Sequence, residues 1–175
     1  RSTAYDKSKV TLKNGYEITS NKVLYDNKNK LIISNNKSDV IDPDGNLISV
    51  DMFEYSIEKN LFSSRGKIIV TDVNKNKYFF SEMYVDTKSK KIVGSDIRVL
   101  LNQEHISGLV SENEPRLAAN SAFISKDRSE FINGILTTCK QRGEKCPPWT
   151  LEAKKISHDK LKKTIYYDSA VLKIY

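Results

Sequence analysis

The residues best suited to chemistry stand in one stretch, TTCKQRGEKCPPWTLEAKKISHD, residues 137–159. It holds both cysteines, Cys139 and Cys146, the single tryptophan Trp149, two of the four prolines and one of the two histidines, His158. A zinc site, a redox dithiol and a covalent staple would each use such a cluster. A structural zinc needs four ligands, usually Cys and His, and the rest of the chain offers only the distant His105. A redox pair takes the form Cys-x-x-Cys, whereas six residues separate these two. A staple is left, either between the two cysteines or from each to a cysteine outside this chain. His158 and Asp159 are neighbours, and successive strand residues face opposite ways. They therefore make no catalytic dyad, and His158 reads as an exposed or capping residue. Trp149 reads as packing against the cysteine loop.

Nothing else in the sequence invites catalysis. There is no nucleophile elbow, no His-Glu-x-x-His and no phosphate-binding loop. DPDGN, residues 42–46, has too few acids for a calcium loop and reads as a type I turn with proline second. No enzyme activity, metal or cofactor is expected.

The elements that carry these residues are strands. Apolar residues alternate with polar ones over short runs rich in Val, Ile, Tyr, Phe and Thr, and turn clusters such as YDNKNK, DPDGN and DTKSKK separate them. That is the pattern of an all-β chain. A length of 175 residues suits a single domain spanning residues 1–175.

The strands repeat. With anchors at Ser20, Val50, Ser81, Ala119 and Ala153, the residue two before is Ile18, Ile48, Phe79, Leu117 and Leu151. The residue three after is Val23, Phe53, Tyr84, Ala122 and Ile156. The anchors lie 30, 31, 38 and 34 residues apart, and a fixed period with one unit per repeat marks a stacked architecture. The odd step from anchor to third residue changes parity, so a bulge or bend must return both apolar residues to one face. Partner strands carry their own apolar faces, with Ile68 and Val70, then Val93, Ile97 and Val99, then Ala170 and Leu172. About ten strands would share one apolar interior, as a sandwich, jelly roll or solenoid. Small residues at Ser20, Ser81, Ala119, Ala122 and Ala153 leave two readings open: room for an apolar guest, or close contacts in an ordinary core.

Lys and Arg number 29 against 22 Asp and Glu, a net charge of +7, and the signs are interspersed. This fits a solvated surface or an acidic partner such as an anionic lipid or glycan. A nucleic-acid partner is not expected, because no basic run is interleaved with aromatics. No stretch approaches the roughly 18 apolar residues of a spanning helix. The opening RSTAYDKSKV has no signal-peptide core, as a mature or trimmed chain would also look. The closing SAVLKIY is a strand pattern without a turn, and the native chain is expected to continue beyond it.

GYEITSNKVLYD, residues 15–26, and DPDGNLISVDMFEYS, residues 42–56, resemble the OstA family of lipopolysaccharide transport proteins. Within that family, the stretch from Thr137 and Thr138 through Cys139, Pro147, Pro148, Trp149 and Ala153 to His158 and Asp159 resembles the periplasmic domain of the LptD-type outer-membrane assembly proteins. LptA and LptC types are not expected to carry it. The resemblance implies an open β-jelly roll of stacked two-stranded repeats, roughly 10–12 strands, at the periplasmic face of the outer membrane, followed by a membrane β-barrel. It implies lipopolysaccharide as ligand, received from an LptA-type bridge by edge-strand pairing and delivered towards an LptE-type lipoprotein and the barrel of the same chain. The implied groove lining is Ile18, Val23, Ile48, Val50, Phe53, Ile68, Val70, Phe79, Tyr84, Ile97, Val99, Leu117, Leu151, Ile156, Ala170 and Leu172. It also implies a disulfide role for Cys139, with Cys146 as a variant position. The alternatives are a soluble bridge of the same fold, and a basic sandwich or solenoid that binds anionic glycans on its surface.

Overall fold

The computed structural model describes residues 2–102, 114–140, 147–162 and 164–175, and of residues 5–7 the backbone only. Cys146 and His105 lie outside the described residues. The described residues form fourteen strands: β1 (Ser2–Thr11), β2 (Glu17–Asp26), β3 (Leu31–Ser34), β4 (Ser38–Ile41), β5 (Leu47–Val50), β6 (Phe53–Ser56), β7 (Leu61–Thr71), β8 (Lys77–Asp86), β9 (Lys91–Leu100), β10 (Arg116–Ile124), β11 (Arg128–Thr137), β12 (Trp149–Asp159), β13 (Thr164–Asp168) and β14 (Val171–Ile174). All belong to one antiparallel sheet. Three pairs, β3 with β4, β5 with β6 and β13 with β14, are halves of one broken strand. The sheet is then a meander of eleven rungs, each paired only with the rungs before and after it in sequence.

The rungs bend near their middles. The expected parity change is seen in the burial of Ser20 with Val23, Ala119 with Ala122 and Ala153 with Ile156, and as a break between Val50 and Phe53, while positive φ falls on the intervening strands at Gly66 (φ 96°), Asp96 (φ 50°) and Asn133 (φ 52°). Both halves of the inner rungs turn apolar side chains onto the same core, which includes Ile18, Val40, Ile68, Met83, Ile97 and Ile156. At the breaks buried hydroxyls take up the freed backbone groups. Ser38 Oγ donates to the Asn36 carbonyl at 2.7 Å, and Ser64 Oγ donates to the Met52 carbonyl at 2.6 Å. Ser20, Ser34 and Ser38 join in one buried network with Oγ separations of 2.9 Å.

Turns stack in columns at the two ends of the rungs. Gly15, Gly45 and Lys75 hold positive φ (87°, 87° and 64°) in one column, and Lys30, Asn60 and Lys90 (52°, 52° and 56°) in the other. Both series advance by 30 residues. Adjacent turns are tied together. The Val73 amide donates to Asn46 Oδ1 at 3.2 Å, the Asn102 amide to Asn76 Oδ1 at 2.7 Å, and the Thr87 amide to the Asn60 carbonyl at 2.8 Å. Among the described residues no pairing joins β1 to β13 or β14, so the sheet is folded over but not closed. This is the open, all-β jelly roll that the family resemblance implied, one of the three stacked architectures the repeats had left open.

Candidate functional site

The register places one inward residue of every rung in a single row. Reading across the sheet, the partners are Val10, Ile18, Val40, Ile48, Val70, Tyr78, Val99, Leu117, Leu136, Leu151 and Leu172. All eleven are apolar or aromatic. On the opposing halves of the rungs a second row runs Tyr25, Ile32, Tyr55, Phe62, Val85, Ile92 and Ile124. The two rows and those beside them face each other across the interior.

That interior is filled in the middle and hollow at both ends. Phe53 and Phe62 stack with centroids 5.5 Å apart, and Phe80 and Met83 complete the plug. Towards the first rungs a cavity of about 490 Å³ is bounded by Val10, Leu12, Val23, Tyr25, Ile32 and Tyr55. Towards the last rungs a cavity of about 390 Å³ is bounded by Tyr78, Val99, Leu117, Phe131, Leu136 and Ile156, with Asp72, His158, Lys160 and Tyr167 at its rim. A larger cleft of about 770 Å³ lies on the outer face, where Phe79, Arg98, Ala118 and Ile135 are cross-strand neighbours and Leu100 and Arg116 flank them.

Burial sets the electrostatics of the last-rung cavity. Desolvation holds the Lys160 ammonium below its ordinary pKa, against the pull of Asp72 and Asp127. His158 is also held low, first by burial and then by the Lys160 charge. Tyr78 is pushed well above the usual phenol range by burial and by Asp72, to which its hydroxyl donates at 3.1 Å.

Ile18, Val23, Ile48, Val50, Phe53, Ile68, Val70, Ile97, Val99, Leu117 and Ile156 are all buried in the core. Leu151 is half-buried in the long row. Phe79 and Tyr84 do not face inward. The third anchor is Phe80 rather than Ser81, so Tyr78, Phe80 and Met83 take the inward places, while the Tyr84 hydroxyl bonds the half-buried Glu82. Phe80 fits because the strand beside it carries Gly94, over which its ring lies. With that correction the first three anchors, 20, 50 and 80, share the 30-residue spacing of the turns. Ala170 sits exposed at the break between β13 and β14, and Leu172 keeps its place in the row but is 58% exposed on the outermost rung. His158 is half-buried at the cavity rim, not an outward cap. Tyr25 stands five residues after its anchor, a looser repeat position, and is absent from the implied lining; Ile32, Tyr78, Leu136 and Lys160 carry no such signal, although the 30-residue spacing from Ile48 points to Tyr78.

Cys139 is half-buried with a free thiol. Its amide donates to Thr137 Oγ1 at 3.2 Å, and that hydroxyl donates to the Trp149 carbonyl at 2.9 Å. The threonine before the cysteine thus ties the ends of β11 and β12.

A solved structure shares this architecture. The chain is similar to the crystal structure of LptH, the LptA-homologous periplasmic component of the lipopolysaccharide transport device of Pseudomonas aeruginosa, with a TM-score of 0.54 and 12% identity over 74% of this chain and 94% of that one. The fold is the LptA-type jelly roll. No family model matches the sequence, and no curated protein matches it. The eleven-rung row is therefore the apolar interior of an LptA-type jelly roll with a cavity at each end.

Proposed function

We propose that this chain carries lipopolysaccharide in the periplasm, its acyl chains held between the two halves of the sheet. The observation that supports this most is the unbroken apolar row across eleven rungs, which ends in apolar cavities at the first and last of them. Acyl contacts need no directional chemistry, so a non-enzymatic lining of Val, Ile, Leu and Tyr suffices. The central plug has to part for a chain to pass, and Phe53, Phe62 and Met83 would be the moving side chains.

Within that role we place it as the periplasmic domain of an LptD-type outer-membrane translocon. It would take lipid from an LptA-type bridge through an edge strand and hand it to the barrel of its own chain and an LptE-type lipoprotein. The support for this finer reading is the Cys139 to Asp159 stretch, with Cys139 or Cys146 expected to bond a barrel cysteine. A free bridge is the second reading, favoured by the 94% coverage of LptH.

A benzophenone side chain at Leu117 or Tyr25 should crosslink lipopolysaccharide in cells, and one at the exposed Lys88 should not. Equal labelling at all three removes the interior route and leaves surface binding of glycans. Immunoblots of membrane fractions, with and without reductant, separate the two carriers: a large band that shifts on reduction supports the translocon domain, a soluble band near 20.0 kDa the bridge.

A further inference from the structure

Building on the carrier reading, we infer that the last-rung mouth of the interior is a phosphate-headgroup site built on Lys160, for the amphiphile whose chains enter the cavity behind it. Lys160 follows directly on β12 and stands at the rim of the 390 Å³ cavity. Its side chain is half-buried. Its ammonium spends one of three donors on the Ser125 carbonyl, at 2.7 Å. Among the described residues no carboxylate comes within ion-pair distance of it.

The nearest acids are otherwise engaged. Asp72 accepts from the Asn74 and Asn76 amides, both at 2.9 Å, from Asn76 Nδ2 at 2.8 Å and from Tyr78 at 3.1 Å. Asp127 takes the Lys160 amide on its carbonyl at 2.9 Å, and its carboxylate, like that of Asp72, acts on the ammonium from beyond ion-pair distance. The other titratable group of β12 at the rim, His158, is held below its ordinary pKa by burial and then by this same cation. The site therefore presents one partly desolvated positive charge that, among the described residues, has no carboxylate in ion-pair contact, and Val99, Leu117 and Phe131 begin immediately inside it. A cation half-withdrawn from water without a partner is a cost to folding, and an oxyanion at the rim offsets it by a charge-assisted hydrogen bond. An alkyl chain on that oxyanion would lie along the apolar wall. A phosphate monoester on an acyl or alkyl body has both parts in that order.

The chain is titrated with dodecyl phosphate, dodecyl maltoside and inorganic phosphate, the amphiphiles below their micelle-forming concentrations, and amide shifts are followed by NMR. Dodecyl phosphate should bind about tenfold more tightly than dodecyl maltoside, shifting Ser125, His158 and Lys160. Lys160→Gln should abolish that preference while leaving maltoside affinity unchanged, and Lys160→Arg should restore it. A preference that survives Lys160→Gln overturns the site, and so does inorganic phosphate binding as tightly as dodecyl phosphate. If neither amphiphile binds the wild-type chain, the carrier reading itself fails. Mapping the shifts in the wild-type chain needs no variant: headgroup-dependent shifts confined to residues away from this rim would also overturn the assignment.

Discussion

A Cβ placed on Gly94 would stand 2.3 Å and 2.7 Å from Cδ1 and Cε1 of Phe80 and 3.0 Å from the Glu82 carbonyl oxygen. Gly94→Ala should therefore destabilise the chain by about 1–3 kcal/mol through overpacking, measured by urea unfolding. Paired with Phe80→Leu, the loss should be smaller than the sum of the two single losses; strict additivity would mean that the ring does not rest on this glycine. Tyr16 makes a second case. It is 4% exposed, and burial together with Asp42 and Asp44 pushes its pKa up to about 12. A phenol whose folded pKa exceeds its unfolded one stabilises the fold fully below the unfolded value, near 10, and loses that contribution as pH rises through the folded value. Stability should therefore fall by roughly 2–3 kcal/mol between about pH 10 and pH 12, and Tyr16→Phe should remove much of that slope. Sequence reading located most core positions but erred at Tyr78-Phe79-Phe80. Three aromatics in a row carry no period-two signal, and the deciding fact, a glycine on the facing strand, lies 14 residues away.

At the level of elements, the columns of turns hold the rungs in register. Lys75 occupies, with φ of 64°, the place that Gly15 and Gly45 fill in the two preceding repeats. A left-handed backbone costs a residue that carries a Cβ roughly 1 kcal/mol, partly offset by the entropy that glycine loses on folding. Lys75→Gly should thus raise stability by about 0.5 kcal/mol, seen as a later urea midpoint at unchanged slope, and an earlier midpoint would show that the lysine side chain contributes more than its backbone costs. Turns were the most legible elements, since Asp, Asn and Gly at these spacings have few other uses. The breaks were legible in part: VDM, residues 50–52, falls where the repeat expects a bend, whereas SNNKS, residues 34–38, carried no such signal, and only the pairing of β2 with both β3 and β4 shows it to be a corner of one rung. The extra residue in β7 opposite β8, between Arg65 and Ile68, was not foreseen, because the parity change was expected on the anchor strands and β7 carries no anchor.

For the whole molecule, the charged residues are spread over the outer face, in cross-strand pairs such as Lys9 with Glu17 at 2.9 Å and Lys173 with Glu152 at 2.8 Å, while the last rung shows apolar side chains on both faces. Val171, Leu172, Ile174 and Tyr175 are 55%, 58%, 78% and 68% exposed, on strands with one free edge. Such an edge recruits another strand. The isolated chain should self-associate with rising concentration in sedimentation velocity runs, and Leu172→Lys with Ile174→Lys should return it to monomer; a wild-type chain that stays monomeric at millimolar concentration would mean that this edge is not a docking strand. The general architecture was readable because the repeat imposes it, whereas which end stays open depends on pairing partners that no single repeat encodes. The 30-residue spacing of turns and anchors has one more implication. Each repeat contributes two rungs, and rungs lie about 4.8 Å apart. Eleven of them span about 48 Å, and inserting or deleting one repeat would change that reach by about 10 Å without altering any cross-section. The protein is in effect a ruler graduated in repeats, whose bore is set by side chains and whose length is set by copy number.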